Sequence, residues 1–123
     1  MNIGHGFDIH RLEVGVHLVI GGVDIPWTQG LVGYSDADVL IHAVCDALLG
    51  AAGLGDIGRH FPNTDLSNEN RNSREFLRIV RLLLEKAGFR AHNIDCTVLA
   101  EAPKLEPYLD AMQVNMASDL LIS

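Results

Sequence analysis

Apolar and polar positions alternate over the first eleven residues: Ile3, Phe7 and Ile9 share one parity, while Gly4, Gly6, Asp8 and His10 share the other. A period of two places those sets on opposite faces of an extended chain, so a β-strand is predicted over residues 1–11. Residues 17–25 consist of two short apolar runs about Gly21-Gly22, which predicts a hairpin ended by Pro26. Residues 29–35 read as a glycine-bearing loop. Ser35 and Asp38 have the spacing of an N-cap and an acidic N3 ahead of an apolar run, which predicts a helix over residues 37–52. Gly53, Gly55, Gly58, Pro62, Asn63 and Asp65 mark residues 53–71 as a long loop, a feature that in a compact domain tends to be functional or mobile.

Asn72 and Glu75 repeat the cap spacing, and Phe76, Leu77, Val80, Leu83, Leu84 and Ala87 recur at helical intervals before Gly88, a natural C′ residue. Ile94, Cys96 and Val98 alternate as a second strand, which the chain leaves through Pro103. Pro107 suits the first turn of a last helix, with Leu109, Met112, Met116 and Leu120 as its apolar stripe. The predicted order is strand, hairpin, helix, loop, helix, strand, helix. That order describes one α+β domain over residues 1–123, a two-layer sandwich with helices packed on one face of a mixed β-sheet and a hairpin beside it. A further strand returning to the sheet is expected after the last helix.

Composition narrows the class. A chain of 123 residues buries roughly two thirds of its unfolded surface, and 48% hydrophobic content excludes general disorder. The longest apolar stretch, residues 43–54, is cut by Asp46 and falls short of the roughly 18 residues of a membrane helix. No basic segment followed by an apolar block opens the chain, so no secretory signal is expected and the expected compartment is the cytoplasm. Cys45 and Cys96 lack C-x-x-C spacing and are expected to be buried free thiols. A net charge of −7 without a basic cluster argues against a nucleic-acid partner. It also means that an anionic ligand would need local cations, from side chains, a metal or helix N-termini.

Asp8 and His10, two apart on a predicted strand, leave the same face roughly 6.6 Å apart along the backbone, beside the room left by Gly4 and Gly6. On the predicted helix Asp38, His42 and Asp46 share one stripe at intervals of four. A buried carboxylate or imidazole without a partner costs several kcal/mol, so this stripe requires a metal or a hydrogen-bond network. The economical arrangement joins the two sets: Asp8, His10 and His42 as ligands, with Asp46 or Asp38 orienting an imidazole. Three protein ligands leave a fourth position open, the pattern of catalytic zinc, although Fe2+ and Mn2+ also accept such donors. From residue types alone a second reading stands beside it, in which Asp8 caps a turn and His42 is a hydrogen-bonded core histidine.

Other candidates are weaker. Asp56, Ile57 and Gly58 open the long loop with a carboxylate suited to substrate hydroxyls, a pattern that also fits a simple helix exit. Lys104 is suited to a phosphate or nucleotide, or to a solvated place at a helix start. His5, His17, His60 and His92 carry no functional expectation.

Taken together, GHGFDIH at residues 4–10, SDADVLIH at 35–42, DALLGAAGLGDIG at 46–58, FPNTD at 61–65 and AEAPK at 100–104 closely resemble the 2-C-methyl-D-erythritol 2,4-cyclodiphosphate synthase family, in its order and spacing. The resemblance implies a bacterial or plastid-type cyclising lyase of non-mevalonate isoprenoid biosynthesis. It implies a homotrimer with active sites between subunits and no nucleic-acid or membrane partner. Asp8, His10 and His42 match the family's zinc ligands, with Mn2+ or another divalent ion as an alternative. Substrate-binding positions carried over are Asp8, Ile9, His10, Tyr34, Ser35, Asp56, Ile57 and Gly58. Phe61, Pro62, Asn63, Thr64 and Asp65 match a flexible loop near the pocket. Ala100, Glu101, Ala102 and Pro103, followed by Lys104, Leu105 and Glu106, match the wall of the cytidine pocket given by the adjacent subunit. Tyr34 and Ser35 fall at the catalytic positions.

The reaction so implied cyclises 4-diphosphocytidyl-2-C-methyl-D-erythritol 2-phosphate, a cytidine diphosphate-linked substrate, with release of CMP. Its nucleophile is already an anion, so the absence of an activated Ser, Cys or Lys suits it; alignment of repelling phosphates and charge neutralisation are what the site must supply. Two departures from the family pattern are visible. The position before Ser35 is usually histidine and is proposed to stabilise the transition state, whereas here Tyr34 offers a hydrogen bond without positive charge. The family also continues with a strand and a Thr-Thr-Glu segment that touches the diphosphate and a second ion, Mg2+, and residues 1–123 do not contain it. Alternatives are a zinc phosphohydrolase and a trimeric binding or scaffold protein with weakened turnover.

Overall fold

Helix α1 (Val39–Ala51) buries Leu40, Ile41, Val44, Cys45 and Leu49, and the other elements are arranged around it. The structure, a computed structural model, describes residues 1–122. Burial around Cys45 pushes its thiol far above the ordinary range, first by desolvation and then by the charges of Asp46, Asp38 and Asp119, so it is an inert core residue. The cap of α1 falls three residues later than the Ser35–Asp38 spacing predicts. Asp38 itself is the N-cap: its buried carboxylate accepts the Ile41 N–H at 3.1 Å and reaches across to the hairpin turn.

The predicted hairpin is present as β2 (Leu18–Ile20) and β3 (Val23–Ile25), antiparallel with Ile20 opposite Val23. Its two central residues, Gly21 and Gly22, have φ of 60° and 73°, the left-handed values that a type I′ turn needs and that glycine adopts without strain. A second ladder joins β1 (Leu12–Val14) to β4 (Gln29–Leu31), so part of the predicted loop at residues 29–35 is a strand. Gln-Gly-Leu carries little strand signal. Gly30 is there because a Cβ at that position would collide with the carbonyls of Val16 and His17.

Two predicted strands differ from expectation. Residues 1–11 and 94–98 join no ladder among the described residues, so the sheets seen are two antiparallel pairs and not one mixed sheet. The alternation of residues 1–11 nevertheless has its expected sidedness. Gly4 and Gly6 lie so close to α1 that a Cβ on either would strike the carbonyl of Ala47 or Ala43, and the Asn2 amide donates to the Ala51 carbonyl at 2.9 Å. The other parity, Ile3, Phe7 and Ile9, faces outward with exposures of 89%, 72% and 78%. Cys96, expected to be buried, is exposed because its segment packs into no sheet, and both thiols are free.

Helix α3 (Ser73–Lys86) follows its local signals closely. Asn72 caps it by accepting the Arg74 N–H at 2.9 Å, Phe76, Leu77, Val80 and Leu84 are buried, and Gly88 follows with φ of 87°. The predicted long loop before it is broken by α2 (Ile57–His60) and a 3-10 turn (Leu66–Asn68), each capped by an aspartate, Asp56 and Asp65. Helix α4 (Leu109–Leu120) follows a 3-10 turn (Glu106–Tyr108) that contains Pro107. It buries Met112 and Leu120, while Leu109 is turned outward. Asp119 ties α4 to α3: its buried carboxylate takes a two-pronged contact from Arg74, at 2.8 and 3.0 Å, and one from Arg78 at 2.9 Å. The architecture is α+β. Among the described residues no helix is long and apolar enough to cross a membrane.

Candidate active site

Asp8 and His10 belong to the segment that Gly4 and Gly6 allow to lie against α1, and His42 projects from the first turns of that helix. The three converge. One ligand atom from each lies within 4.8 Å of the other two, the one cluster of metal-ligating type among the described residues. Asp8 Oδ2 lies 2.9 Å from His10 Nε2 and 3.3 Å from His42 Nδ1, and the two imidazole rings meet edge to face at 5.8 Å.

The partner of each ring's other nitrogen matters. His10 Nδ1 lies 2.7 Å from the Val32 carbonyl, which can only accept, so the proton of the neutral ring sits on Nδ1 and the bare Nε2 faces Asp8. Two acceptors at 2.9 Å repel unless a cation or a proton lies between them. Burial pushes the Asp8 carboxyl up, but the hydrogen bond to His42, the charges of His10 and His42 and the His10 hydrogen bond outweigh it, and the net effect is below the usual carboxylate range. Two imidazole nitrogens and a carboxylate oxygen converging in this way fit a divalent cation of the zinc type.

The cluster forms one wall of a cavity of about 250 Å³. Tyr34 and Ser35 line it as expected, and so do Ile57, Gly58, Phe61 and Asn63. The Tyr34 hydroxyl is buried with no hydrogen-bond partner. Burial first, then the charges of Glu69 and Asp65, holds its proton more tightly than in an ordinary tyrosine. Phe61 stacks on Phe76 at 4.4 Å, and Arg71 lies over the Phe76 ring at 5.3 Å, so this wall is aromatic.

Other expected residues lie elsewhere. Asp56 does not line the cavity; it caps α2 through the Arg59 N–H at 2.9 Å. The Pro62 carbonyl accepts from Asp65 and Asn68, Asp65 caps the 3-10 turn through Ser67, and Thr64 is exposed. Ile9 points outward. Ala100, Glu101, Ala102 and Pro103 are absent from the cavity lining, as are Lys104, Leu105 and Glu106. Neither Asp38 nor Asp46 orients an imidazole. Asp38 is consumed by the amides of Gly21, Gly22 and Ile41, and Asp46 accepts the Ile57 N–H at 2.9 Å, which fixes the start of α2 beside the cavity. Burial, the charges of Asp56 and Asp8 and the opposing Ile57 hydrogen bond leave the Asp46 carboxyl above its usual value.

The residues that do touch the His42 ring on its far side are serines: Ser73 Oγ at 2.8 Å and Ser35 Oγ at 3.1 Å from Nε2. Sequence reasoning missed Ser73, Asn68 and Phe76. Their only signal is proximity to the Asn72 cap or membership of an amphipathic stripe, neither of which points to His42. A larger hollow of about 400 Å³ beside Trp27 has as its ionisable residues only the exposed His17–Asp24 pair.

The profile of the YgbB family matches residues 1–123. The chain belongs to that family. A relative from Nitrosomonas europaea, a 2-C-methyl-D-erythritol 2,4-cyclodiphosphate synthase, is 56% identical over 122 residues, which make up 99% of this chain and 75% of the relative. The bifunctional IspDF from Campylobacter jejuni superposes with a TM-score of 0.86 at 41% identity, over 99% of this chain and 33% of that one. A 2C-methyl-D-erythritol-2,4-cyclodiphosphate synthase in its CDP-bound form superposes with a TM-score of 0.83 at 37% identity, over 98% and 81%. At these identities over nearly the whole chain, YgbB membership makes this an enzyme of the cyclodiphosphate synthase type, in isoprenoid biosynthesis. Its α+β fold is that of its solved neighbours.

Proposed function

We propose that the enzyme converts 4-diphosphocytidyl-2-C-methyl-D-erythritol 2-phosphate to 2-C-methyl-D-erythritol 2,4-cyclodiphosphate and CMP, with a divalent cation, zinc first, held by Asp8, His10 and His42. The observation that carries this reading is the convergence of those three ligand atoms within 4.8 Å at the edge of a cavity. In the reaction an oxygen of the 2-phosphate forms a bond to the β-phosphorus, the bond from that phosphorus to the CMP oxygen breaks, and CMP departs with the electron pair. The cation, when bound, supplies Lewis-acid stabilisation of charge on phosphate oxygens.

The chain's own residues do the rest. A cation held by Asp8, His10 and His42 would place positive charge locally in a protein whose net charge of −7 repels phosphates. Tyr34 lines the cavity and has a hydroxyl with no partner within the protein, which in this reading serves a phosphate oxygen. Ile57 and Gly58, pinned by Asp46, and the Phe61–Phe76 stack line the cavity and limit the space in which the substrate can extend. A bent substrate makes the attack intramolecular, where orientation contributes several kcal/mol. No proton need be removed from the nucleophile, since the attacking phosphate is already an anion; Ser35, 3.1 Å from His42 Nε2, is not called on as a nucleophile.

The working assembly in this reading is a homotrimer in a bacterial cytoplasm. Ala100, Lys104 and their neighbours would face the cytidine of an adjacent subunit's substrate, and Mg2+ would serve the diphosphate. The outward apolar residues Ile3, Phe7, Ile9 and Leu99 support an association surface. The CDP-bound solved relative supports a cytidine nucleotide as the ligand class.

Turnover with Zn2+ and Mg2+, followed by phosphorus NMR, tests the reading. A cyclic diphosphate with an equal amount of CMP is expected. An open-chain product with inorganic phosphate would identify a phosphohydrolase instead, and zinc uptake without turnover would identify a binding protein; either outcome overturns the cyclase reading.

A further inference from the structure

His42 is held from behind by a chain of groups that the reading above does not use. Ser73, the first residue of α3, is fully buried, and its Oγ lies 2.8 Å from His42 Nε2. On its other side the same hydroxyl donates to Asp36 Oδ1. Asp36 also receives the Ser73 N–H on Oδ2 at 2.9 Å and the Asp38 N–H on Oδ1 at 3.0 Å. The carboxyl thus accepts three hydrogen bonds, two of them from Ser73.

A serine hydroxyl has one proton. With that proton directed to Asp36, Ser73 Oγ presents only lone pairs to the imidazole, so the neutral ring must carry its own proton on Nε2. Nδ1 is then bare, and it is the nitrogen that faces Asp8 Oδ2 at 3.3 Å. Ser35 Oγ, at 3.1 Å from the same Nε2, accepts the Ala37 N–H and keeps its proton uncommitted, so it can serve either tautomer and selects neither.

We propose that Asp36 and Ser73 act as positioning residues, a relay that locks His42 in its Nε2–H tautomer and so presents Nδ1 as the metal-binding atom. The proposal rests on the metal reading of Asp8, His10 and His42. It makes the two imidazoles of the site mirror cases. His10 donates from Nδ1 to a backbone carbonyl and binds through Nε2; His42 donates from Nε2 to a side chain and binds through Nδ1. Because Asp36 precedes α1 and Ser73 begins α3, the relay also couples the orientation of the ligand to the packing of those two helices.

Two readouts test it. In metal-free protein at about pH 8, where ordinary imidazoles are neutral, nitrogen NMR of labelled histidine should report Nε2–H for His42. Ser73→Ala should give a mixture of tautomers and bind Zn2+ about 10- to 100-fold more weakly in a chelator competition, whereas Ser73→Thr, which keeps a single-proton hydroxyl, should retain both properties. An Nδ1–H signature at His42 in the unaltered protein overturns the relay, whether or not any variant folds. So does a Ser73→Ala protein with an unchanged tautomer and zinc affinity. If the unaltered protein takes up no Zn2+ yet shows the Nε2–H tautomer and loses it in Ser73→Ala, the metal reading fails and the tautomer lock stands.

Discussion

Asp38 Oδ2 accepts the backbone N–H of Gly22 at 2.7 Å, which joins the turn of the hairpin to the start of the helix that carries His42. The other oxygen takes Gly21 N–H at 2.9 Å and Ile41 N–H at 3.1 Å. One side chain therefore caps α1 and satisfies both amides of the β2–β3 turn. Asp38→Ala removes the cap, worth about 1 kcal/mol, and leaves the buried Gly21 amide without a partner, at about 1–3 kcal/mol more. Urea unfolding should show a loss of about 2–4 kcal/mol. A loss below about 1 kcal/mol would mean that the hairpin and helix are held together by packing alone.

The same residue makes a pH prediction. Burial pushes the Asp38 carboxyl up to about 6, against the opposing hydrogen bonds from Gly22, Ile41 and Gly21 and with a further push from the charge of Asp36. The unfolded carboxyl titrates near 3.8, so between these values the folded form holds the extra proton. The contribution of this group is complete below about pH 4, declines as pH rises to about 6, and is level above that. The full decline is on the order of 3 kcal/mol. Asp38→Ala lacks the group, and its deficit relative to the unaltered protein should be larger at about pH 5 than at about pH 7.5. An equal deficit at both contradicts the assignment.

Tyr34 separates stability from catalysis. Its hydroxyl is buried without a partner, so Tyr34→Phe should leave the melting temperature unchanged or raise it, by no more than the equivalent of about 1 kcal/mol. If that hydroxyl meets a phosphate oxygen, the same variant should lose about tenfold in kcat/KM. Tyr34→His restores a group able to carry positive charge, which the tyrosine, its proton held tightly by burial and by Glu69 and Asp65, does not supply. It should raise kcat by about tenfold, and no gain would count against a role for charge at this position.

What was legible in the sequence is what is decided locally. The cap at Asn72, the stripe through Phe76 and Val80, the stop at Gly88 and the Gly21-Gly22 turn depend on neighbours within a few positions, and all are found where their signals lie. Asp8, His10 and His42 were legible because ionisable residues in apolar contexts demand a partner, and the resemblance to one family pointed to the same set. The fate of Asp38 and Asp46 was not. A carboxylate on an apolar helix needs donors, but sequence does not say whether these are an imidazole or the amides of Gly22 and Ile57, which lie 16 and 11 residues away. Ser73 was illegible for the same reason, since its tie to His42 spans 31 residues. The alternation of residues 1–11 reported which side faces α1, but a ladder needs a second chain segment, and alternation does not name one.

Removal of a ligand should separate metal loss from unfolding. His10 is partly exposed and outside the hydrophobic core, so His10→Ala should retain the fold by circular dichroism. It leaves Asp8 and His42 as a two-ligand site. Bound zinc, measured by elemental analysis after dialysis, should fall from about one per chain to near zero, and turnover should drop by more than about a hundredfold. Full zinc content in His10→Ala would remove it from the coordination set.

Phe7 tests the assembly independently of the metal. It is 72% exposed on the outward parity with Ile3 and Ile9, one residue before Asp8, whose side chain faces the other way. Burying such a ring at a subunit contact contributes about 2–3 kcal/mol per copy, and a charge in its place reverses the sign. If the chain assembles as the proposed homotrimer, Phe7→Lys should therefore shift it from trimer to monomer in light scattering after size exclusion. Asp8, His10 and His42 come from one chain, so the dissociated variant should still take up zinc; in the proposed trimer it should lose CMP release, because residues 100–106 of a neighbour would no longer reach the substrate. A trimer unaffected by Phe7→Lys would place the association surface elsewhere, and a monomer that turns over at the full rate would show that the catalytic cavity of one chain suffices.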